Sequence, residues 1–355
     1  MTPLTNTPIL VTGATGFVAA EIVKQLLEAG YLVRGTTRSV AKAQEDGFLT
    51  SLPGAPDRLE LVEADLLEAG AYDQAVIGCE YVMHVASPFV LDVEDPRRDL
   101  LDPALNGTLS VFESAEKARG VKRIVLTSSF AAISGKPKDG VWTEEDWNTA
   151  SSLESGSYPY SKTMAERAAW EFMDQRHPLF DLVVINPTGV IGPSLVERVN
   201  QSHRALIAAA KGEYPGIVNL EFPLVDVRDV AAAHILAMTN PDASGRYLTS
   251  AGSASFRHMM DVAQKSGFGE RYKLPTLGLD NAVGDILVRI VASFQPKGTR
   301  NFLRTNVGRT YDLDTSKIQN ELGVEFRDLD TTLVDALTDL EVWGHLSEKT
   351  ALGND

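Results

Sequence analysis

A glycine-rich turn near the start of the chain lies between a short apolar run and an amphipathic stretch. The apolar run is Ile9-Leu-Val11, the turn is Gly13-Ala-Thr-Gly16, and the amphipathic stretch is Phe17–Glu28. A buried strand, a tight turn and a helix in this order are typical of the first unit of a parallel sheet. The sequence therefore predicts that the chain begins with a βαβ unit and that the turn lies at the carboxyl end of the first strand.

Apolar runs with the length of strands continue to alternate with helical patterns through the first half of the chain. The predicted strands are Tyr31–Thr36, Leu59–Glu63, Tyr81–Val85, Arg123–Leu126 and Asp181–Ile185, and the predicted helices are Ala104–Ala118 and Tyr158–Gln175. This alternation predicts an α/β fold with a Rossmann doubly wound parallel sheet. The alternation weakens beyond Gly192, which predicts a smaller, mostly helical C-terminal substrate domain.

This pattern divides the chain into two regions. Residues 1–190 are expected to form the Rossmann domain with the catalytic groups, and residues 191–350 the substrate-binding region. The segment 225–250 contains a strand pattern and is expected to return to the Rossmann domain. In the second region, Asn281–Phe294 places its apolar side chains on one face of a helix. Core packing is the favoured interpretation of this face, and a lid over the substrate site is the alternative.

The glycine turn also has the features of a dinucleotide site. Gly13 and Gly16 allow a tight turn and let a phosphate approach the backbone without a clash with a Cβ atom. The helix N-terminus at Thr15–Phe17 offers backbone N–H groups and the positive end of the helix dipole to a pyrophosphate. The turn, with Val18 beside it, is therefore predicted to bind the pyrophosphate of a nicotinamide dinucleotide. A structural turn without a ligand is the alternative.

The segment after the second predicted strand bears on the choice between NAD and NADP. An NAD enzyme usually carries an acid there, which holds the ribose 2′-hydroxyl. The segment Gly35–Lys42 has no acid, and Arg38 and Lys42 offer positive charge to a 2′-phosphate. NADP(H) is therefore predicted in preference to NAD(H), although Lys42 fits a solvated helix face equally well. Asp65, with Leu66 beside it, is expected to accept from the adenine amino group or to be a turn carboxylate.

A phenol and an ammonium lie one helical turn apart in Tyr158-Pro-Tyr-Ser-Lys162. Side chains four residues apart on a helix lie on the same side, so both can reach one pocket. Hydride transfer to a carbonyl needs a proton donor at the developing alkoxide. A nearby ammonium, together with the charge of the nicotinamide, would lower the pKa of the phenol toward the working range. Tyr158 is therefore the predicted proton donor, and Lys162 is also expected to bind the nicotinamide ribose.

Two further polar residues are predicted to take part in catalysis. Ser129 ends the strand pattern Thr127-Ser-Ser129 and is expected to hydrogen-bond the substrate oxygen. Thr127 itself is assigned to the cofactor site. Asn106, in the preceding helix, is expected to extend a proton relay through water or to be a structural amide. No metal site is predicted.

Charge and cysteine content exclude several kinds of partner. The chain has 48 acids against 33 bases, a net charge of −15, and no basic stripe, so neither nucleic acid nor an anionic membrane is an expected partner. The single cysteine, Cys79, excludes an internal disulfide and fits a reducing compartment. The first residues lack the pattern of a signal peptide, and no apolar stretch has the length of a membrane span. We expect a cytoplasmic protein, a monomer or a homodimer.

Seven stretches of the chain resemble the extended short-chain dehydrogenase/reductase superfamily. They run in family order over nearly the whole chain and are Val11–Ala19, Val33–Arg38, His84–Phe89, Val125–Ser129, Tyr158–Glu166, Ile185–Pro193 and Asp226–Val230. The chain is similar to the group of dihydroflavonol reductases, cinnamoyl-CoA reductases and methylglyoxal/isovaleraldehyde-type carbonyl reductases. It departs from the group's pattern at Pro159, which directly follows Tyr158, and over residues 274–310, which match the plant reductases poorly.

The resemblance implies further roles for individual residues. It implies that Ser129 rather than Ser128 is the catalytic serine. The residues that it places on the nicotinamide side are Ala86, Ser87, Pro187 and Val190. It also implies that Phe89 and Phe130 face the substrate.

These observations together predict an NADPH-dependent reductase of aldehydes or ketones, with a small-molecule carbonyl substrate. The apolar Phe89 and Phe130, without a cluster of arginines, favour uncharged carbonyls over carboxylates and CoA thioesters. Within the same reaction class, a 3β-hydroxysteroid dehydrogenase or a dihydroflavonol or cinnamoyl-CoA reductase remains open. A sugar-nucleotide epimerase or dehydratase that retains NAD, and a redox sensor without catalysis, are alternatives from other classes.

Overall fold

The computed structural model describes residues 5–87, 95–295 and 297–346. Its strands are β1 (Ile9–Val11), β2 (Val33–Thr37), β3 (Leu59–Glu63), β4 (Tyr81–His84), β5 (Arg123–Thr127), β6 (Asp181–Pro187), β7 (Gly189–Ile191), β8 (Ile217–Val218), β9 (Glu221–Asp226), β10 (Gly245–Thr249), β11 (Gly252–Ser255) and β12 (Gly278–Leu279). Its α-helices are α1 (Phe17–Glu28), α2 (Val40–Asp46), α3 (Ala55–Arg58), α4 (Asp102–Ala118), α5 (Ser157–Arg176), α6 (Gln201–Ala210), α7 (Val227–Thr239), α8 (Phe256–Lys265), α9 (Phe268–Arg271), α10 (Ala282–Ala292), α11 (Lys297–Asn306) and α12 (Leu329–Val342). Short π or 3₁₀ turns cover Arg97–Leu101, Phe130–Ala132 and Ile318–Leu322.

Seven parallel strands form the central sheet, in the order β3-β2-β1-β4-β5-β6-β10. After β3 the chain crosses to the other side of β1, so the strand order reverses between β1 and β4. In a doubly wound sheet, the carboxyl ends of the two strands at this reversal flank the ligand crevice. The predicted Rossmann sheet is confirmed, and each strand predicted from the sequence is present with small changes at its ends.

Both faces of the sheet are covered by helices, as the continuous apolar strands require. Successive side chains of a strand point to opposite faces, and β1 shows the result. Ile9 and Val11 pack in a core formed with α1 and α7, whereas Leu10 packs in a second core formed with α4 and α5. These two layers hold the carboxyl ends of the strands in fixed positions at one edge of the molecule.

The C-terminal part of the chain contributes to both the central sheet and a smaller unit. Strand β9 pairs with β7 and β11 in a three-stranded sheet, and α6, α8 and α12 contribute to a separate core beside it. Strand β10, from the segment 225–250, pairs with β6 in the central sheet, and α7 packs against α1. The division into domains at residue 190 stays a prediction.

The expected core packing of the segment Asn281–Phe294 is wrong. The residues of α10 that face inward are Gly284, Val288 and Ala292, while its larger apolar side chains are exposed. The exposed set is Val283, Ile286, Leu287, Ile290, Val291 and Phe294. A Cβ atom on Gly284 would lie only 2.0 Å from the Leu279 carbonyl oxygen, so the glycine face is the one that can approach β12 closely.

No helix among the described residues combines the length and the apolar composition needed to cross a membrane.

Candidate active site

A cleft of about 1890 Å³ opens at the carboxyl ends of the central strands. Most of the site residues predicted from the sequence line it, although they come from distant parts of the chain. They are Gly13, Thr15, Gly16, Phe17, Val18, Arg38, Lys42, Asp65, Leu66, Ala86, Ser87, Thr127, Ser129, Phe130, Tyr158, Lys162, Pro187 and Val190. The fold thus brings the predicted cofactor residues and the predicted catalytic residues to one continuous surface.

The glycine turn forms one end of the cleft. Gly13 has a φ of +65°, and a Cβ atom there would lie 3.0 Å from the Ala86 Cβ. The Gly13 N–H donates to the Thr36 hydroxyl oxygen at 3.0 Å, which ties the turn to β2. Helix α1 then begins after Gly16, whose lack of a side chain leaves the first turn without a side-chain cap. Uncapped N–H groups and a close backbone approach fit a bound pyrophosphate.

Thr12 supports the loop that faces this turn. Its hydroxyl oxygen accepts from the N–H groups of Val85 and Ala86 and therefore donates its own proton to His84 Nδ1, at 2.9 Å. Burial lowers the pKa of His84 to about 3, so the ring is neutral and can accept this proton. Sequence reasoning missed this support, because Thr12, directly after β1, and His84, at the end of β4, are 72 residues apart in the chain.

The predicted 2′-phosphate residues lie at the start of α2. Both Arg38 and Lys42 are exposed and line the cleft, and within the described part of the chain neither forms an ion pair. The Ser39 hydroxyl oxygen accepts from the Lys42 N–H and caps the helix. The carboxylate of Glu63, on β3, accepts from the Val40 N–H at 3.1 Å. The segment Gly35–Lys42 has no acid of its own, but the fold brings this acid from the neighbouring strand close to the predicted 2′-phosphate site.

Asp65 has a structural role in addition to its place in the cleft. Its Oδ1 accepts from the Leu67 N–H at 3.0 Å, as a turn carboxylate does. The predicted contact with adenine stays a prediction.

Ser129, Tyr158 and Lys162 meet at the floor of the cleft. Ser129 lies two residues after β5 and caps the short turn Phe130–Ala132. Its Oγ accepts from the Ala131 N–H at 3.1 Å, so its proton is available to another acceptor. The Ser129 hydroxyl hydrogen-bonds the Tyr158 phenol. The Lys162 ammonium lies 6.0 Å from the centroid of the Tyr158 ring, one turn further along α5. A phenol, a hydroxyl and an ammonium at one point can hold a carbonyl oxygen and deliver a proton to it.

Burial shifts the pKa values of Tyr158 and Lys162, the two α5 side chains that line the cleft with Pro159. It raises the pKa of Tyr158 to about 12, and the hydrogen bond from Ser129 acts in the opposite direction. It lowers the pKa of Lys162 to about 8, against the attraction of the Glu166 carboxylate. In the protein without cofactor the pKa of Tyr158 is thus raised, because desolvation of the phenolate outweighs the hydrogen bond from Ser129. The predicted lowering of this pKa, which also depends on the charge of the nicotinamide, stays a prediction.

A buried acid on α5, one turn after Lys162, was missed by sequence reasoning. Glu166 accepts from Ser128 Oγ at 2.5 Å and from Asn186 Nδ2 at 2.8 Å, and it pairs with Arg246 Nε at 2.5 Å. Since the hydroxyl of Ser128 is bound to Glu166, Ser129 supplies the hydroxyl at Tyr158. The same Arg246 donates to two carbonyl oxygens of the segment 144–146, which connects the network to a loop near the cleft.

Aromatic side chains form part of the cleft wall. Phe130 packs edge-to-face against Trp142 and Tyr311, with ring centroids 6.1 Å and 5.9 Å apart. Phe222 and Phe302 also line the cleft. Tyr311 and Phe302 were not predicted, because they lie in or beside a helical segment whose pattern gives no sign of a site. Phe89 lies outside the described residues.

Asn106 is not brought to this site. It is exposed on α4 and is absent from the described residues that line the cleft. The α4 residue that does reach the cleft is Pro103, one turn earlier.

The described residues contain no group of three or more histidine, cysteine or acidic side chains that could hold a metal ion.

Comparisons with known proteins agree with the fold. The model of the NAD dependent epimerase/dehydratase family matches residues 9–249. A cinnamoyl-CoA reductase of Medicago truncatula is 45% identical over 245 residues, which cover 67% of this chain and 74% of that protein. Tetraketide alpha-pyrone reductase 1 of Arabidopsis thaliana is 34% identical over 348 residues, covering 96% of this chain and 97% of that protein. The crystal structure of yeast methylglyoxal/isovaleraldehyde reductase Gre2 complexed with NADPH has a TM-score of 0.78 and 29% identity, covering 95% of this chain and 99% of that one.

Proposed function

The chain belongs to the NAD dependent epimerase/dehydratase family, and from that membership we propose that it is an NADPH-dependent reductase that converts aldehydes or ketones to alcohols. The observation that carries the proposal is the meeting of Ser129, Tyr158 and Lys162 in the cleft that begins at the glycine turn. Relatives that are named reductases, and a structural neighbour complexed with NADPH, support the same reaction.

The residues present fit a nicotinamide dinucleotide. The turn at Gly13 and the uncapped start of α1 would hold the pyrophosphate. Arg38 and Lys42 would hold the 2′-phosphate, and Lys162 the nicotinamide ribose. When bound, NADPH supplies the hydride that reduces the carbonyl carbon.

Tyr158 supplies the proton that completes the reduction. With a pKa of about 12, the phenol is protonated at neutral pH. The developing alkoxide is a stronger base than the phenolate, so the proton moves from Tyr158 to the substrate oxygen as the carbonyl carbon is reduced. The Ser129 hydroxyl orients that oxygen, and the positive charge of Lys162 stabilises the phenolate that remains.

The substrate class follows from the wall of the cleft. Phe130, Phe222 and Phe302 present apolar surface to the carbonyl, which favours uncharged aldehydes and aryl or alkyl ketones. A second candidate, reduction of a CoA thioester, is favoured by the 45% identity to a cinnamoyl-CoA reductase and by two exposed bases, Lys136 and Arg198, at the cleft.

The partner and location of the protein follow from its composition. We propose a small-molecule carbonyl as the partner, without nucleic acid or membrane, and a cytoplasmic location. The net charge of −15 and a single cysteine, which is buried, support this.

Initial rates of NADPH oxidation with a panel of carbonyls test the proposed function. The panel contains aldehydes, α-ketoesters, aryl ketones, flavanonols, a 3-ketosteroid and a cinnamoyl-CoA thioester. We expect the uncharged aldehydes and ketones to be reduced with the highest kcat/KM. Turnover of the thioester with the aldehydes ignored would replace the first candidate by the second. Purified protein that retains bound NAD and reduces none of these compounds would contradict both and favour an epimerase.

A further inference from the structure

The outer face of α10 carries the largest group of exposed apolar side chains on a single helix among the described residues. Six of its residues, which we call the α10 patch, are between 49% and 85% exposed: Val283, Ile286, Leu287, Ile290, Val291 and Phe294, the last just after the helix end. Side chains of this size and exposure present an apolar area on the order of 600 Å², at the upper end of the ~300–600 Å² of the largest patch on a typical monomer. Such a face indicates a contact surface.

The spacing within the patch is that of helix–helix packing. Val283, Leu287, Ile290 and Phe294 follow each other at intervals of four, three and four residues. This alternation is the seam by which one helix packs along another. Ile286 and Val291 lie on either side of the seam, and no charged side chain interrupts it. The patch therefore fits another helix better than it fits an extended peptide or a flat surface.

The orientation of α10 is held by contacts on its inner side. Val288 packs with Leu220 and Val307 in a small core. The Asp285 carboxylate accepts from Asn219 Nδ2 at 3.2 Å, and Arg289 donates to the Val307 carbonyl oxygen at 3.0 Å. With Gly284 against the β12 backbone, these contacts oppose a rotation that would bury the patch within its own chain. The lid interpretation would need such a rotation, because among the described residues α11 lines the cleft, through Phe302 and Asn306, and α10 does not.

We propose that the α10 patch is the contact between two copies of this chain, with the two α10 helices packed antiparallel about a two-fold axis. A symmetric contact uses the same patch on both copies, so a helix with a packing seam is its own partner. Two such patches bury on the order of 1,200 Å², above the ~1,000 Å² that a specific interface needs. The seam is uncharged, so the repulsion between two copies of net charge −15 is not concentrated at the contact.

Sedimentation velocity across a concentration series tests the proposal with one charge substitution and one control. We expect wild-type protein to pass from monomer to dimer, and added salt to favour the dimer by screening the net charge. Leu287→Asp should raise the dimer dissociation constant by about a hundredfold or more, since symmetry places two uncompensated carboxylates in the contact. Leu179→Asp is the matched control, because Leu179 is 80% exposed outside the patch, and it should dimerise as wild type does.

A cross-linking experiment gives an answer that does not depend on the charged variant being folded. Cys79 is the single cysteine of the sequence and is buried, so an introduced surface cysteine reacts alone. Leu287→Cys, treated with a short bifunctional thiol reagent, should give a covalent dimer, and Leu179→Cys should not.

Three results would overturn the proposal. The first is a wild type that stays monomeric and a Leu287→Cys variant that gives no covalent dimer. The second is a Leu287→Asp variant that is folded and dimerises as tightly as wild type, which would place the contact elsewhere. The third is a monomeric wild type that co-sediments with phosphatidylcholine/phosphatidylserine vesicles while Leu287→Asp does not, which would make the patch a lipid-binding surface.

Discussion

At the scale of single residues, the chemistry of this cleft depends on burial. Tyr158 and Lys162 have ordinary side chains in an environment that disfavours charge, and each is therefore shifted toward its neutral form. The phenol keeps its proton until it can pass it to a stronger base. The ammonium, with a pKa of about 8, is close to losing its charge at neutral pH, which makes the site sensitive to small changes in its surroundings.

Tyr158→Phe should lower kcat by about 10²–10⁴-fold, the usual effect of losing a general acid. NADPH affinity should change little, because the phenol oxygen delivers a proton and contributes little to cofactor binding. Steady-state kinetics and a fluorescence titration with NADPH measure the two effects. Tyr160→Phe is the matched control and should stay close to wild type. A Tyr158→Phe variant that keeps more than about a tenth of the wild-type rate would show that another group donates the proton.

NADPH affinity of the free enzyme should fall as pH rises through about 8, the pKa of Lys162. The lysine pKa is lowered from its usual 10.5, so the ammonium is present below about pH 8 and lost above it. If the ammonium is needed for binding, Kd should rise by up to about tenfold per pH unit above that point. His84 and Tyr158, which lie near Lys162, do not titrate close to pH 8, since their pKa values are about 3 and about 12.

Lys162→Met is the control for this pH dependence. It should bind NADPH more weakly than wild type at pH 7, with a Kd that is constant across the same range, and it should also have a lower kcat. A variant with reduced rate but wild-type NADPH affinity would mean that Lys162 does not hold the ribose.

Arg38→Ala should remove most of the preference for NADPH over NADH. A charge-assisted bidentate contact contributes about 1.5–3 kcal/mol, which corresponds to a preference of roughly 10- to 150-fold. The kcat/KM ratio for the two cofactors should therefore be at least about tenfold in wild type and should decrease with salt. NADH kinetics should barely change in the variant. A preference that survives the loss of Arg38 would assign the discrimination to Lys42, through the matched variant Lys42→Ala.

At the scale of elements, one buried ion pair connects three parts of the site. Glu166 is on α5, one turn after Lys162, and Arg246 is on β10, 80 residues away. Through Ser128 and Asn186 the carboxylate reaches β5 and β6, and through its carbonyl contacts Arg246 reaches the loop after Phe130. The pair therefore keeps α5, which carries Tyr158 and Lys162, in register with β5 and with Ser129 just beyond it.

Arg246→Met should lower the free energy of unfolding by about 3–5 kcal/mol, because it leaves a buried carboxylate without its partner. The double variant Glu166→Gln/Arg246→Met should recover part of this loss, since the unpaired charge is gone. Lys117→Met, which breaks an exposed pair with Asp73, should cost about 1 kcal/mol or less. Urea unfolding followed by circular dichroism measures all three. Equal effects of Arg246→Met and Lys117→Met would show that the buried pair contributes no more than a surface pair.

At the scale of the whole molecule, the cleft joins the Rossmann sheet to the C-terminal region. The glycine turn and the proposed catalytic residues come from the first half of the chain, while Phe222, Phe302 and Tyr311 come from the second. A ligand that bridges the two parts binds only when both are folded, so ligand binding and folding are coupled.

NADPH at a hundred times its Kd should raise the free energy of unfolding by about 2.7 kcal/mol. Thermal unfolding with and without NADPH measures this as an increase in melting temperature. NADH at the same concentration should give a smaller increase, and Arg38→Ala should respond to the two cofactors alike. A melting temperature that does not change with saturating NADPH would contradict the assignment of the cleft as its site.

The sequence alone predicts the features that depend on the local pattern of residues. The strand Ile9–Val11, the helix Phe17–Glu28 and the glycine turn between them follow from local periodicity and from the backbone freedom of Gly13. Tyr158 and Lys162 are one helical turn apart, so predicting the helix also predicts that both side chains lie on the same side of it. The order of these motifs along the chain then indicates the parallel sheet and the edge where they meet.

Only the tertiary structure decided which surfaces are buried and which distant residues meet. The apolar side of α10 has the periodicity of a core helix, yet Gly284 against Leu279 turns it outward. Asn106 lies outside the cleft, and Glu166 meets Arg246 across 80 residues. The pKa of Tyr158 is raised by its burial in the folded chain. Periodicity along a helix depends on neighbours in sequence, whereas the direction of each face and the loss of water around a group depend on packing between elements that are far apart in the chain.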